Sequence, residues 1–283
     1  MPPKTAKPKK KMTLNQAAEI LRNAGVEAPL HDAREIFKHI GGLSHEELIF
    51  RDASCENPEV EKAVKLRAER HPLQYIIGSV DFYRESYTVT PDVLIPRSDT
   101  ELLVDYAVKN LPSGSHFIDL CTGSGCVAIS TLNNTINTTA TAVDISKKAL
   151  DVAKKNAKRN SVESRLSFVE LDVMKRSLDE PFFALLSNPP YVTNEEYEKL
   201  EKEIFCEPKI AFLGGDDGMD FYRVITKTYM NRLEKCGFIA YEIGYDQREA
   251  IISIAKECRM RCEILKDLAG NDRVAVLRKQ ENI

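Results

Sequence analysis

Between residues 13 and 72 the apolar positions recur with helical spacing. Leu14, Ala17, Ala18 and Leu21 fall on one face, Ala33, Ile36, Phe37 and Ile40 on a second, and Val60, Ala63 and Val64 begin a third. Gly25, Gly41-Gly42 and Asn57-Pro58 interrupt the pattern, so the segment predicts a small helical bundle. A unit of about 60 residues lies near the lower limit of independent stability and is expected to lean on the rest of the chain. After Pro72 the texture changes. Gln74 to Gly78, Phe82-Tyr83 and Tyr87 to Thr90 are aromatic and β-branched segments around a turn, predicting a β-hairpin connector over 73–97.

From residue 113 onward strand-like and helix-like stretches alternate. The predicted strands are His116 to Leu120, Thr138 to Val143, Leu166 to Leu171, Phe182 to Ser187, Gly237 to Ile243, Arg261 to Leu265 and Arg273 to Leu277. A helix is predicted over Ser146 to Asn160, with Ser146 as N-cap and Ala149, Ala153 and Ala157 repeating every four residues. The alternation predicts an α/β fold with a mostly parallel, doubly wound sheet. Ligands in such sheets bind beyond the carboxyl ends of the strands, which directs the search for chemistry there.

The composition fits a globular chain: 283 residues, 43% hydrophobic and 29% charged. No apolar run approaches the ~18 residues needed to span a bilayer, so a membrane-spanning protein is not expected. The net charge is −3, but residues 1–12 carry five lysines and no acid, which leaves −8 on the remainder. A body of that sign speaks against nucleic acid as the main partner. The lysine-rich start reads as a solvated tail, with an arm touching ribosome or RNA as the functional alternative. It lacks the features of a secretory signal or transit peptide. Seven cysteines without a CxxC pair, and five histidines (His31, His39, His45, His71, His116) without ligand spacing, predict neither disulfide framework nor metal site. The compartment is expected to be reducing and cytoplasmic.

The first strand end reads Asp119-Leu120-Cys121-Thr122-Gly123-Ser124-Gly125-Cys126. Its glycines permit a sharp turn and let a ligand lie against backbone at a helix N-terminus. The second strand ends in Asp144, a carboxylate suited to two ribose hydroxyls, so an adenosine-containing cofactor is expected. Gly123-Ser124-Gly125-Cys126-Val127-Ala128 also fits the GxGxxA dinucleotide fingerprint, which makes NAD a rival. Asp119 counts against it, because a carboxylate suits a sulfonium and an amino group better than a pyrophosphate. The fourth strand end counts against it too.

That end reads Ser187-Asn188-Pro189-Pro190-Tyr191-Val192. Two prolines end the strand and remove two backbone donors, leaving carbonyls free to accept. The Asn188 oxygen and the Pro189 carbonyl together match the two hydrogens of a planar NH₂ group, and Tyr191 offers a face for it. An amide or aromatic amine is a poor nucleophile. Two acceptors on its N–H bonds would aim the lone pair at a sulfonium methyl and stabilise the charge developing on nitrogen.

With these residues in hand the sequence resembles the release factor glutamine methyltransferases (the PrmC/HemK family). The likeness rests on Arg70 to Gly78, Val93 to Glu101, the cofactor loop, Asn188 to Val192, Glu207-Pro208, Gly214 to Met219 and Asp272-Arg273-Val274. It covers nearly the whole chain after residue 12. The Asn-Pro-Pro-Tyr tetrapeptide alone is shared with nucleic-acid amine methyltransferases. The resemblance implies S-adenosylmethionine as cofactor, a seven-stranded Rossmann-like methyltransferase domain over 98–283, and methylation of the glutamine in the GGQ loop of peptide chain release factors. It implies that Cys121, Thr122, Gly123, Ser124 and Gly125 line the cofactor, with Asp119 and Asn188 also against it, that Asp144 holds the ribose, and that Asp172 or Val173 flanks the adenine. Asn188, Pro189, Pro190 and Tyr191 would hold the target glutamine, and the helical unit over 13–72 would help dock the release factor. A ribosomal-protein glutamine, or an exocyclic amine of adenine or guanine, is the alternative substrate. An NAD oxidoreductase and a non-catalytic binding module are more distant.

The chain departs from the family at Cys121, where glycine is usual, and at Ser98-Asp99, where Pro-Glu is usual. Cysteine takes a positive φ only at a cost, so the loop here either does not require one or differs in geometry. Ser98-Asp99 keeps a carboxylate and loses a rigid turn. Glu242 faces either the cleft or the surface, Arg97 either the cofactor or an ordinary ion-pair partner, and Asp216-Asp217 reads as a turn and cap before a helix.

Overall fold

The computed structural model describes residues 11–49 and 53–280. Most of the lysine-rich tail, residues 1–10, lies outside them. The described chain divides into two compact units.

The first unit comprises residues up to Gly78 together with Lys202–Cys206. It contains β1 (Met12–Thr13), α1 (Leu14–Asn23), α2 (Pro29–His39), α3 (His45–Ile49), β2 (Ser54–Cys55), α4 (Pro58–Ala68) and α5 (Leu73–Ile77). Thr13 and Gln16 form a capping box at the start of α1, and Asn57 caps α4 with Pro58 behind it. Leu14, Ala17, Ala18, Leu21, Ala33, Ile36, Phe37, Val60, Ala63 and Val64 form its buried core, on the faces the periodicity indicated. The buried Arg67 donates through Nε to Asp32 at 2.7 Å and through Nη1 to Glu203 at 3.0 Å, which ties Lys202–Cys206 into this unit. One expectation needs correction: Gln74 to Gly78 is not part of the hairpin. Leu73–Ile77 is a helical turn with Pro72 before it and Gly78 ending it at φ +77°. Burial of Leu73 against the helical core overrides the β-propensity of Tyr75, Ile76 and Ile77.

The second unit, Ser79–Glu201 with Glu207–Ile283, opens on a hairpin of β3 (Ser79–Phe82) and β4 (Glu85–Thr88). After it come α6 (Glu101–Asn110), β5 (His116–Leu120), α7 (Cys126–Asn133), β6 (Thr139–Asp144), α8 (Lys147–Arg159) and β7 (Leu166–Glu170). Then follow β8 (Phe182–Ser187), α9 (Asn194–Tyr197), α10 (Asp220–Tyr229), β9 (Leu233–Glu242), α11 (Arg248–Glu257), β10 (Met260–Lys266) and β11 (Asp272–Lys279). The seven strands from β5 on form one sheet in the order β10-β11-β9-β8-β5-β6-β7, parallel except where β11 runs between β10 and β9.

Strand periodicity divides the core into two layers. Phe117, Ala184, Leu186 and Phe238 join α6 and α7 on one face, while Ile118, Leu185, Ile239 and Tyr241 join α10 and α11 on the other. β9 begins at Leu233, before the expected Gly237, because Cys236 at φ +65° lets the strand continue through an irregular register opposite Phe182–Ala184. The chain leaves β5 for β6 on one side and returns through β8 on the other, so the order reverses between β5 and β8. The strand ends at Leu120 and Ser187 therefore flank the switch-point crevice. Among the described residues, no helix is long and apolar enough to cross a membrane, and no His, Cys, Asp and Glu group is arranged to hold a metal ion.

Candidate active site

The loop after β5 turns on three residues with positive φ: Cys121 (+60°), Gly123 (+55°) and Gly125 (+82°). The loop thus does require a left-handed residue where cysteine replaces glycine, and Cys121 bears that strain, of order 1–3 kcal/mol. A β-branched side chain tolerates this conformation far worse. Cys121→Val is expected to weaken S-adenosylmethionine binding by more than about tenfold, and Cys121→Gly to leave it within about threefold of wild type. Calorimetric titration checks both; equal affinity in the valine variant would show that the conformation is not demanded. Gly125 has a further reason to lack a side chain, since a Cβ there would sit 3.0 Å from Ile129 Cδ1 and 3.1 Å from the Ala153 Cβ.

The expected cofactor residues separate into two groups. Cys121, Gly123, Asp144, Asp172 and Val173 line one pocket, together with Leu94, Ile145, Pro190, Ile210 and Phe221 among others. Asp119, Thr122, Ser124 and Gly125 are outside that lining and form the frame of the loop, and Asn188, also expected against the cofactor, is outside it too. Asp119 is buried and its Oδ2 accepts from the Thr122 hydroxyl at 2.5 Å and from the Ala128 N–H at 3.2 Å. Asp144 lies at the end of β6, where Oδ2 accepts from the Gly123 N–H and Oδ1 from the Ser146 N–H, each at 2.9 Å. Burial nevertheless holds its pKa above the usual carboxylate value. Asp172 receives the Met174 N–H at 3.0 Å and pairs with Lys175 at 2.9 Å, and the hydrogen bond from that ammonium holds its pKa low.

The lining has three aspartates (Asp92, Asp144, Asp172), several apolar side chains, and no lysine, arginine or histidine. A dinucleotide pyrophosphate would find no cation there. An adenine in an apolar slot, a ribose on a carboxylate and a sulfonium in an acidic surrounding match that lining. The residues present fit S-adenosylmethionine.

Beside this pocket β8 delivers Asn188, Pro189, Pro190 and Tyr191. Pro189 and Pro190 are buried, and Asn188 is half-buried. The Asn188 Nδ2 donates to Thr100 Oγ1 at 3.2 Å. Thr100 donates to Glu242 Oε2 at 2.5 Å, and the Tyr191 hydroxyl donates to Glu242 Oε1 at 3.4 Å. No donor among the described residues takes up the Pro189 carbonyl or the Asn188 Oδ1. Glu242 is only 2% exposed, so it is not a surface carboxylate; it lies beneath this turn, bonded to Thr100 and Tyr191, and is not in the pocket lining.

The turn is supported from below by glycines. A Cβ on Gly214 would lie 2.6 Å from the Pro190 carbonyl oxygen and from Tyr191 Cα, and one on Gly218 2.3 Å from the Tyr191 carbonyl oxygen. The segment read as a turn and cap thus serves backbone approach. Its capping differs from expectation: the N-cap of α10 is Met219, without a side-chain cap, while Asp217 accepts the Met219 N–H at 3.1 Å. Arg97 forms an ion pair with the buried Glu207, which also accepts the Ile95 N–H at 2.9 Å. That clamp joins the pocket walls carried by Leu94 and Pro208. Asp99 has Arg273 as its partner at 3.2 Å. The residue reading missed Thr100, Ile145, Glu207 and Phe221; an apolar residue straight after the strand-end Asp144 was the available signal for Ile145.

Two buried carboxylates shape the pH dependence. Burial pushes both Asp119 and Glu242 up to about 7. Between the ordinary range near ~4 and about 7 the folded chain holds more protons than the unfolded chain, so each group's contribution weakens as pH rises through that window and levels off above it. The unfolding free energy is therefore expected to fall from pH 5.5 to pH 8, by at most about 1.4 kcal/mol per pH unit for each group, with the urea midpoint falling alongside it, and to fall less in Asp119→Asn. A midpoint that rises over that range would contradict the assignment.

Residues 98–214 match the family model of the methyltransferase small domain, and residues 13–78 that of the PrmC N-terminal domain. The chain is 33% identical over 275 residues to the release factor glutamine methyltransferase of Fusobacterium nucleatum, covering 94% of this chain and 77% of that protein. It is 34% identical over 268 residues to the release factor glutamine methyltransferase of Thermodesulfovibrio yellowstonii, covering 90% and 94%. The crystal structure of a ribosomal protein L11 methylase from Lactobacillus delbrueckii subsp. bulgaricus superposes with a TM-score of 0.51 at 17% identity, over 68% of this chain and 84% of that one, a likeness of fold. With near full-length similarity to such relatives, a matching N-terminal domain and a strand-end pocket that fits S-adenosylmethionine, the chain belongs to the release factor glutamine methyltransferase family.

Proposed function

We propose that the protein methylates the side-chain amide nitrogen (N5) of the glutamine in the GGQ motif of peptide chain release factors. The observation that carries this reading is the pair of uncommitted acceptors, Asn188 Oδ1 and the Pro189 carbonyl, on a turn whose next residue, Pro190, lines the acidic, cation-free pocket. S-adenosylmethionine supplies the electrophilic methyl group. Gly123 and Cys121 would lie against the cofactor, Asp144 would receive the ribose hydroxyls, and Asp172 or Val173 would flank the adenine. Asn188 and Pro189 accept the two carboxamide hydrogens, while Pro190 and the Tyr191 ring confine the planar group. This arrangement turns the nitrogen lone pair out of conjugation and toward the methyl, and it stabilises the charge that develops on nitrogen. One amide proton leaves after transfer.

The helical unit serves as a docking element for the release factor. The site's acidic lining and the −8 charge outside the tail favour a protein substrate over nucleic acid. The seven free cysteines suit a reducing, cytoplasmic setting. Incubation with release factor and isotope-labelled cofactor, followed by mass spectrometry, tests the proposal. Label on the GGQ glutamine is expected; its absence, or label only on ribosomal protein or nucleic acid, overturns it.

A further inference from the structure

We propose that Thr100 and Glu242 are positioning residues that hold the Asn188 amide with its oxygen facing outward, so that the turn presents two acceptors rather than an acceptor and a donor. The inference rests on the reading of Asn188 and Pro189 as the grip on a planar nitrogen.

The two ends of an asparagine amide have nearly the same shape, so packing cannot choose between them; only a hydrogen bond can. Proton counting decides the case here. An ionised Glu242 has none to give, and the single hydroxyl proton of Thr100 goes to Glu242 Oε2 at 2.5 Å. The Thr100 oxygen is then left only to accept. The group facing it at 3.2 Å must be a donor, and the NH₂ end of Asn188 fills that place. Because the amide is planar, Oδ1 is directed to the opposite branch. A reversed amide would set two lone-pair oxygens against each other with no proton between them. The Tyr191 hydroxyl donates to the other Glu242 oxygen, so one carboxylate fixes both side chains of the turn.

The relay has a direction only while Glu242 is ionised. A protonated Glu242 could donate to Thr100 and free the hydroxyl proton for Asn188 Oδ1, which removes the bias. The groups around it are Asp99 and Thr100 from the turn before α6, Cys126 of α7, Tyr191, Tyr222 of α10 and Arg273 of β11. Burial dominates their sum and brings the transition up to about 7.

Thr100→Val keeps the shape and removes the acceptor, while Thr100→Ser keeps the hydroxyl. The valine variant is expected to lose about 10–100-fold in kcat with S-adenosylmethionine affinity within about threefold, and the serine variant to recover most of the loss. A purely structural role would lower affinity and thermal stability together. A second readout needs no substrate: in asparagine-selective ¹⁵N spectra, the Asn188 side-chain pair, assigned with Asn188→Asp, should show one hydrogen-bonded proton at pH 8. That signal should collapse to free-amide values in Thr100→Val, and in wild type as pH falls through about 7. A wild-type pair already at free values, or one that neither change affects, overturns the inference, as does an unaltered kcat in Thr100→Val. Failure of wild-type enzyme to label any release factor would end the substrate reading alone, and the spectra would still decide this one.

Discussion

Asn188→Ala is expected to lower kcat for release factor methylation by about 30–1,000-fold, or ~2–4 kcal/mol, and to leave S-adenosylmethionine affinity nearly unchanged. The asymmetry follows from geometry. Asn188 contacts Thr100 and faces the incoming amide, but it is not part of the pocket lining formed by Cys121, Gly123, Asp144, Asp172 and Val173. Its oxygen gains most from interaction when the substrate nitrogen turns positive, so the loss falls on the transition state. Single-turnover rates at saturating cofactor, set beside calorimetric binding, separate the two quantities. Equal losses in rate and affinity would contradict the assigned role.

Gly218→Ala is expected to disturb the same turn through the backbone. Gly218 has φ +71°, and an added Cβ would sit 2.3 Å from the Tyr191 carbonyl oxygen and 2.8 Å from Gln247 Nε2. Gln247 is a side chain that can swing aside, although it would give up its hydrogen bond to that carbonyl. The carbonyl itself cannot move without dragging the Asn-Pro-Pro-Tyr turn. Left-handed strain and overpacking together amount to about 3 kcal/mol or more. Gly270→Ala provides the comparison, because Gly270 has φ +88° with nothing within 4 Å of the added atom. It carries only the backbone cost, about 1–2 kcal/mol. Urea unfolding and turnover at saturating cofactor should therefore show Gly218→Ala well below Gly270→Ala in both. Coincident results would mean that the close approach under Tyr191 is not rigid.

Much of the architecture is legible in the chain because its causes are local. Parallel strands buried on both faces read as short apolar runs, and Phe182 to Ser187 and His116 to Leu120 begin and end where those runs do. The helical faces of the first unit are equally plain, since Leu14, Ala17, Ala18 and Leu21 differ in environment from their neighbours at a period of 3.6. Gln74 to Gly78 misleads for the opposite reason: five residues are too few to express a period, and the outcome depended on a core built elsewhere. Cys121 shows a second limit. Its identity argues against positive φ, yet the turn that joins β5 to α7 imposes it.

The sequence by itself determined the class of fold, the glycine loop, the strand-end Asp144 and the Asn-Pro-Pro-Tyr turn, because each is written in contiguous residues whose backbone preferences and polar groups act over a few positions. Only the tertiary structure decided which of those residues face the pocket and which stand behind it, as Asp119 and Thr122 do. It alone brought Thr100, Asn188 and Glu242 into one hydrogen-bonded chain, although 142 residues separate the first from the last. Strand order and register set that meeting, and they are fixed by burial of both sheet faces across the whole unit, a cooperative quantity that no local stretch carries.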